Sequence, residues 1–135
     1  MVYMQYDKEL ILDTLEQIRD ALVIVEKRCS YAKSADDFCD SEEGQEKLDS
    51  ICMKLIAVGE SLKNIDKLTD KKLLSQYPHI KWKEIKGIRD ILSHHYFDLD
   101  AVVIYEICND EIIELLETIN LLIEDINKDT LLTIL

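Results

Sequence analysis

Ile11, Leu15, Ile18, Leu22, Val25 and Cys29 follow one another along the chain at alternating spacings of four and three. That period lays one apolar stripe on a helix, with Glu16, Arg19, Asp20, Glu26 and Lys27 on the other side. It predicts a first helix from about Asp7 to about Lys33. The acidic segment from Ser34 to Glu46 breaks the pattern. Asp40, with Glu43 three residues on, has capping-box character and would start the next helix.

The second helix carries Leu48, Ile51, Leu55, Val58, Leu62 and Ile65 at the same spacing. Gly59 sits inside it, at about 1 kcal/mol against Ala, and suggests close approach of another backbone. Thr69-Asp70 and Tyr77-Pro78 mark a connection, because Pro lacks a donor and pushes its predecessor out of the α region. A third, shorter helix fits Lys81 to about Ser93, with Trp82, Ile85, Ile88 and Leu92 inward. Asp98 or Asp100 can cap a long fourth helix ending near Lys128. Its stripe is Tyr105, Cys108, Ile112, Leu115, Ile119, Leu122 and Ile126, widened by Val102, Ile113, Leu116 and Ile123. The widening suggests a subunit interface, and a deeply buried helix is the alternative. The fold class expected is all-α: a single-domain antiparallel four-helix bundle over residues 1–135, forming a homodimer.

Composition sharpens this picture. Three Gly and one Pro in 135 residues supply too few turns for a sandwich or barrel, while 47% apolar residues suffice for a full core. The N-terminus has no basic start followed by an apolar run, and no apolar stretch is long enough to span a bilayer. A cytoplasmic, non-membrane protein is expected. Cys29, Cys39, Cys52 and Cys108 lie far apart with no Cys-x-x-Cys pair, which reads as reduced thiols, two or three of them buried. No acidic cluster has convincing metal-ligand spacing, and no metal or cofactor is called for.

Charge adds one asymmetry. The net charge of −12 excludes a protein that coats nucleic acid non-specifically. Yet nine basic residues against four acidic ones lie between Lys54 and Arg89. That segment either receives a phosphodiester locally or pairs with its neighbours, and charge alone favours the pairing.

The candidate chemistry lies in Gly87-Ile88-Arg89-Asp90-Ile91-Leu92-Ser93-His94-His95-Tyr96. It places a permanent cation, an imidazole and a phenol at the end of one helix. Histidine titrates near neutrality and can take a proton from a ribose 2′-hydroxyl or return one to the leaving oxygen. Arginine presents a rigid fork to phosphate oxygens and stabilises charge that builds up in a transition state. From residue types alone, helix-end packing and a surface Arg–Asp pair remain the commoner explanations.

The arrangement Arg89, polar Asp90, three intervening residues, His94 and Tyr96 satisfies R-x4-H-x-Y, and on it the chain resembles the HepT branch of the HEPN superfamily. The segment Ala57-Val58-Gly59-Glu60-Ser61-Leu62-Lys63 and the run from Tyr77-Pro78 through Trp82 to Gly87-Ile88-Arg89 are also similar to that family. The resemblance implies a metal-independent endoribonuclease toxin of a type II toxin–antitoxin pair, with its site at a dimer interface. Arg89 would hold the scissile phosphate, and His94 would be general base or acid. His95 would take a substrate-side or structural role. Tyr96 would be the tyrosine adenylylated by a partner MNT-type nucleotidyltransferase, the antitoxin. RNA is the implied substrate. Asp90 departs from the Asn common after the Arg, and a carboxylate there would compete with phosphate. Two other classes remain open: a catalytically inactive helical module binding a nucleotide or nucleotidyltransferase, and a plain dimerisation bundle.

Overall fold

Asp7 caps the first helix, its carboxylate accepting the Leu10 amide at 3.0 Å. In the computed structural model, which describes residues 6–94, 97 and 100–128, that helix is α1, Lys8–Cys29. It stops four residues short of the expected end. The Tyr31 and Ala32 amides turn to carbonyls only three residues back, and the Ser30 hydroxyl donates to the Lys27 carbonyl, which tightens the last turn. All six residues of the predicted stripe are buried.

A short 3₁₀ turn, Ala35–Phe38, leads into α2, Glu42–Leu68. Its cap is Ser41 rather than the expected Asp40. The Ser41 backbone is extended and its hydroxyl accepts the Gly44 amide at 2.9 Å. A further 3₁₀ turn, Leu74–Gln76, precedes α3, Trp82–His94. This connection is fastened to the far side of the molecule. The Tyr77 hydroxyl donates to Asp125 at 2.5 Å, and His79 meets the Thr118 hydroxyl at 3.0 Å. Burial first, and then the Asp125 contact, push the Tyr77 phenol far above its ordinary pKa. The Trp82 indole donates to the Tyr77 carbonyl at 3.0 Å and fixes the entry to α3.

Asp100 caps the last rod by accepting the Val102 amide at 2.9 Å; Asp98 lies outside the described residues. The rod is not one uniform helix. It runs as α4, Ala101–Glu106, then a π-helical turn, Ile107–Glu111, then α5, Ile112–Asn127. Buried positions explain the wide turn: Ile104, Cys108 and Ile112 follow at two successive spacings of four. Each such step drifts about 40° around an α-helix, and a wider turn takes the drift up.

The four rods form an all-α bundle, with no strand among the described residues. α1 packs against α2 and α5, and α3 lies on α2. The fully covered core includes Leu15, Leu22, Ile51, Leu62, Ile119 and Leu122. The apolar surplus of the last rod divides: Ile123 is buried and Leu116 partly so, whereas Val102 and Ile113 remain exposed. The expectation of four reduced thiols is corrected. Cys29 and Cys108 form a disulfide, with Cα atoms 6.0 Å apart and 79 residues of separation, because the end of α1 crosses the π turn there. Spacing in sequence carries no signal of that crossing. Cys39 is exposed and free, and Cys52 is buried and free. No helix among the described residues is long and apolar enough to cross a membrane.

Candidate active site at the α2–α3 contact

Gly59 lets α3 sit directly on α2. A Cβ at Gly59 would lie 2.7 Å from the Arg89 Cβ and 3.4 Å from the Lys86 carbonyl oxygen, so any side chain there would displace Arg89. The close approach expected of Gly59 is therefore an approach to the candidate catalytic arginine itself. The next residue, Glu60, faces the guanidinium, with Arg89 Nε 3.3 Å from its carboxylate. This contact is an ion pair without hydrogen-bond geometry, since Nε is enclosed and has no hydrogen-bond partner.

Arg89 Nη1 donates to Asp90 at 2.9 Å, and Lys63 lies 3.5 Å from the same Asp90 carboxylate. Bonding to Asp90, and then the charge of Glu60, hold the Arg89 pKa above its ordinary value. The hydrogen bond from Arg89, and then the charge of Lys63, hold Asp90 below the usual carboxylate range. The result is a chain of alternating charge, Lys63–Asp90–Arg89–Glu60, across the α2–α3 contact. One turn nearer the start of α3, Lys86 pairs with Asp66 of α2. The basic segment thus pairs in part with its neighbours, as charge alone favoured.

His94 is the last residue of α3, exposed, and without a hydrogen-bond partner among the described residues. It lies five positions beyond Arg89, which is about 140° around the helix and about 7.5 Å along it. The two positions therefore lie on different faces of α3. His95 and Tyr96 lie outside the described residues, while the Phe97 ring beyond them is 99% exposed. Among the described residues, no three His, Cys, Asp or Glu side chains cluster as metal ligands. Glu60 and Lys63, which hold Arg89 and Asp90, received no role from the sequence beyond their place in a resembling segment. Their pairing depends on the axial register of two helices, which periodicity within each does not report.

A groove of about 610 Å³ runs beside this charge chain, between the end of α2 and the first half of α3. Asp90 and Gly87 line it, but Arg89 and His94 do not.

Comparison with known proteins bears on the family of the chain. The profile of the family described as Ribonuclease HepT-like matches residues 11–122. A Methanocaldococcus jannaschii protein, named as both a gamma-glutamylcyclotransferase and a presumed RNase, is 30% identical over 115 residues, 85% of this chain and 48% of its own length. A second protein of that organism, a presumed RNase, is 35% identical over 77 residues, 57% of this chain and 61% of its own. “Probable ribonuclease HepT” of Thermococcus cleftensis is 31% identical over 100 residues, 74% of this chain and 84% of its own. The match thus spans about half to three fifths of the two M. jannaschii relatives. No solved structure matches significantly. With the family profile covering most of the chain, from α1 into α5, the chain belongs to the HepT-like ribonuclease family.

Proposed function

We propose that the chain is a metal-independent endoribonuclease toxin whose site is completed when two copies bring their Arg89–His94 segments together. The observation that carries this reading is the placement of Arg89, wedged at Gly59 with an exposed His94 five residues further along the same helix. In the reaction, the ribose O2′ attacks phosphorus and its proton passes to one imidazole. The bond from phosphorus to O5′ breaks, and O5′ takes a proton from an acid. A second His94, from the partner copy, is suited to be that acid. Arg89 offsets the charge gathering on the phosphoryl oxygens. The exposed Val102 and Ile113 supply apolar surface for the pairing. Light scattering at micromolar concentration should give twice the chain mass of 15.7 kDa; a clean monomer would remove the composite site.

Arg89→Ala and His94→Ala should each lower RNA cleavage by at least about a hundredfold with helical content unchanged. Cleavage should persist in EDTA. Full activity in His94→Ala, or loss of cleavage in chelator, would sink this mechanism. Control falls to Tyr96, two residues past His94. A partner MNT-type nucleotidyltransferase antitoxin would attach AMP there, adding a negative phosphodiester that competes for Arg89. Intact mass after incubation with that enzyme, ATP and Mg²⁺ should rise by AMP units in wild type and not in Tyr96→Phe.

One observation favours the second reading, an inactive nucleotide- or nucleotidyltransferase-binding module. Both Glu60 and Asp90 already occupy the Arg89 guanidinium. If they only compete with phosphate, Asp90→Asn should raise cleavage several-fold. Absence of cleavage in both wild type and Asp90→Asn would favour the inactive module.

A further inference from the structure

At the end of α2 and within α3, glycine is used against what the local backbone asks for. Gly87 lies inside α3, where a Cβ would meet no atom within 4 Å. Alanine would fit there without a clash and would favour the helix. Conversely, Asp70 and Lys71 adopt φ of 52° and 61°, the left-handed region in which glycine is the unstrained choice. The turn is nevertheless firmly built. The Lys71 amide donates to the Asp66 carbonyl at 2.8 Å, closing the end of α2. The buried Thr69 hydroxyl donates to the Ile65 carbonyl at 2.8 Å and accepts the Leu73 amide at 3.4 Å. A bare helix position and two side chains held on a strained turn all line the same groove of about 610 Å³.

The groove is basic within an acidic chain. Lys63 is engaged by Asp90 and Lys86 by Asp66, but Lys67, Lys71 and Lys83 have no carboxylate partner among the described residues. With 28 acidic residues against 16 basic ones in the chain, three unpaired ammonium groups around one groove are not accounted for by ion pairing. No aromatic ring lines it, so it offers bases nothing to stack on. Flexible ammonium groups suit phosphate oxygens without reading sequence. Asp90 ties the groove to Arg89, since it lines the one and bonds the other.

We propose that this groove takes the sugar–phosphate backbone of single-stranded RNA beside the cut. Gly87 is kept bare so that the strand lies against α3, and Lys67, Lys71 and Lys83 meet its phosphates. The identity of the polyanion rests on the ribonuclease reading above. The groove itself contributes affinity independent of sequence, and Asp70 opposes it.

The test uses the full chain and a 12-nucleotide RNA methylated at every 2′-oxygen, which lacks the attacking hydroxyl and reports binding alone. Anisotropy over a salt series should give a dissociation constant weakened by about fivefold in each of Lys67→Gln, Lys71→Gln and Lys83→Gln, with the salt slope shallower by about 0.7 per lysine. Gly87→Ala separates this role from a structural one: it should raise Tm by about 3 °C while weakening binding at least threefold. Asp70→Asn should tighten binding. Wild-type affinity in the lysine variants or in Gly87→Ala overturns the proposal. So does equally tight binding of poly-glutamate, which would mark the groove as a protein-docking surface. Failure of the ribonuclease reading looks different: unmodified RNA stays intact while groove-dependent binding persists. Failure of the groove alone leaves cleavage in place with the KM for long RNA unchanged in all three lysine variants.

Discussion

The α1–α5 side of the bundle and the α2–α3 side are built on opposite terms. Along α1 and α5, a dense apolar stripe meets another, and Leu15, Leu22, Ile119 and Leu122 are sealed from solvent. A disulfide joins the end of α1 to the turn leading into α5. In α3, Trp82, Ile85 and Leu92 are buried and Ile88 partly so, and its contacts with α2 include the ion pairs of Lys86 with Asp66 and Arg89 with Glu60. α5 buries seven of its 16 residues and α3 three of its 13, and the side chains able to meet an anion are gathered on the second side. Such a division leaves α3 free to carry a feature that a core helix would not favour, an unpacked glycine.

The sharpest way to break this comparison is to remove the same kind of side chain from each face. Leu122→Ala should destabilise the fold by about 3–5 kcal/mol, because its site is fully covered and cannot collapse. Ile88→Ala on α3, only partly buried, should lose about half as much. Equal losses in urea unfolding would show that α3 carries as much stability as α1 and α5.

A smaller effect sharpens the functional half. Gly59→Ala forces a Cβ to within 2.7 Å of the Arg89 Cβ, and the shift should cost about 1–3 kcal/mol of stability. Its mark should fall more heavily on cleavage, by tenfold or more, since Arg89 moves with α3. Were stability to fall and cleavage to hold, the tight contact would be packing alone.

The smallest effect is a pH dependence within α2. Burial, and then the nearby Asp49 charge, push the Cys52 thiol from 9.0 up to about 11. Between those values the unfolded chain releases this proton while the folded chain keeps it. Folding stability should therefore decline as pH rises from about 9 towards about 11. Cys52→Ala should show a flatter decline over that window in thermal melts; an unchanged slope would assign the loss to other groups.

Much of this architecture was legible in the residues. The stripes of α1, α2 and α5, the start of α1 near Asp7, the cap at Asp100 as one of two candidates, and the close approach at Gly59 all follow from interactions within a few residues or from a periodic face. What escaped depends on how one helix is set against another. Ser41 displaces Asp40 as cap by a single residue, because both can cap and local backbone geometry decides between them. The π turn was hidden because two spacings of four also fit an α-helical stripe. At the site, Arg89 and His94 were singled out by their pattern, whereas the carboxylate of Glu60 and the ammonium of Lys63 reach that pattern only across the α2–α3 contact. The groove was the least legible feature. Its lysines were counted as a charged segment, and only the folded chain shows which of them are paired.

The bond between Cys29 and Cys108 also makes the middle of the protein a closed covalent ring. Arg89, His94 and Tyr96 all belong to that ring, with α1 and α5 attached to it as tails. A protease that cuts the connection between α1 and α2, or the one between α3 and α4, opens the ring without dividing the molecule. The nicked chain should run as one species on a non-reducing gel and as two fragments after reduction. A first cut in either connection would leave the bundle covalently whole, and releasing a fragment would require a second cut within the ring or a reductant.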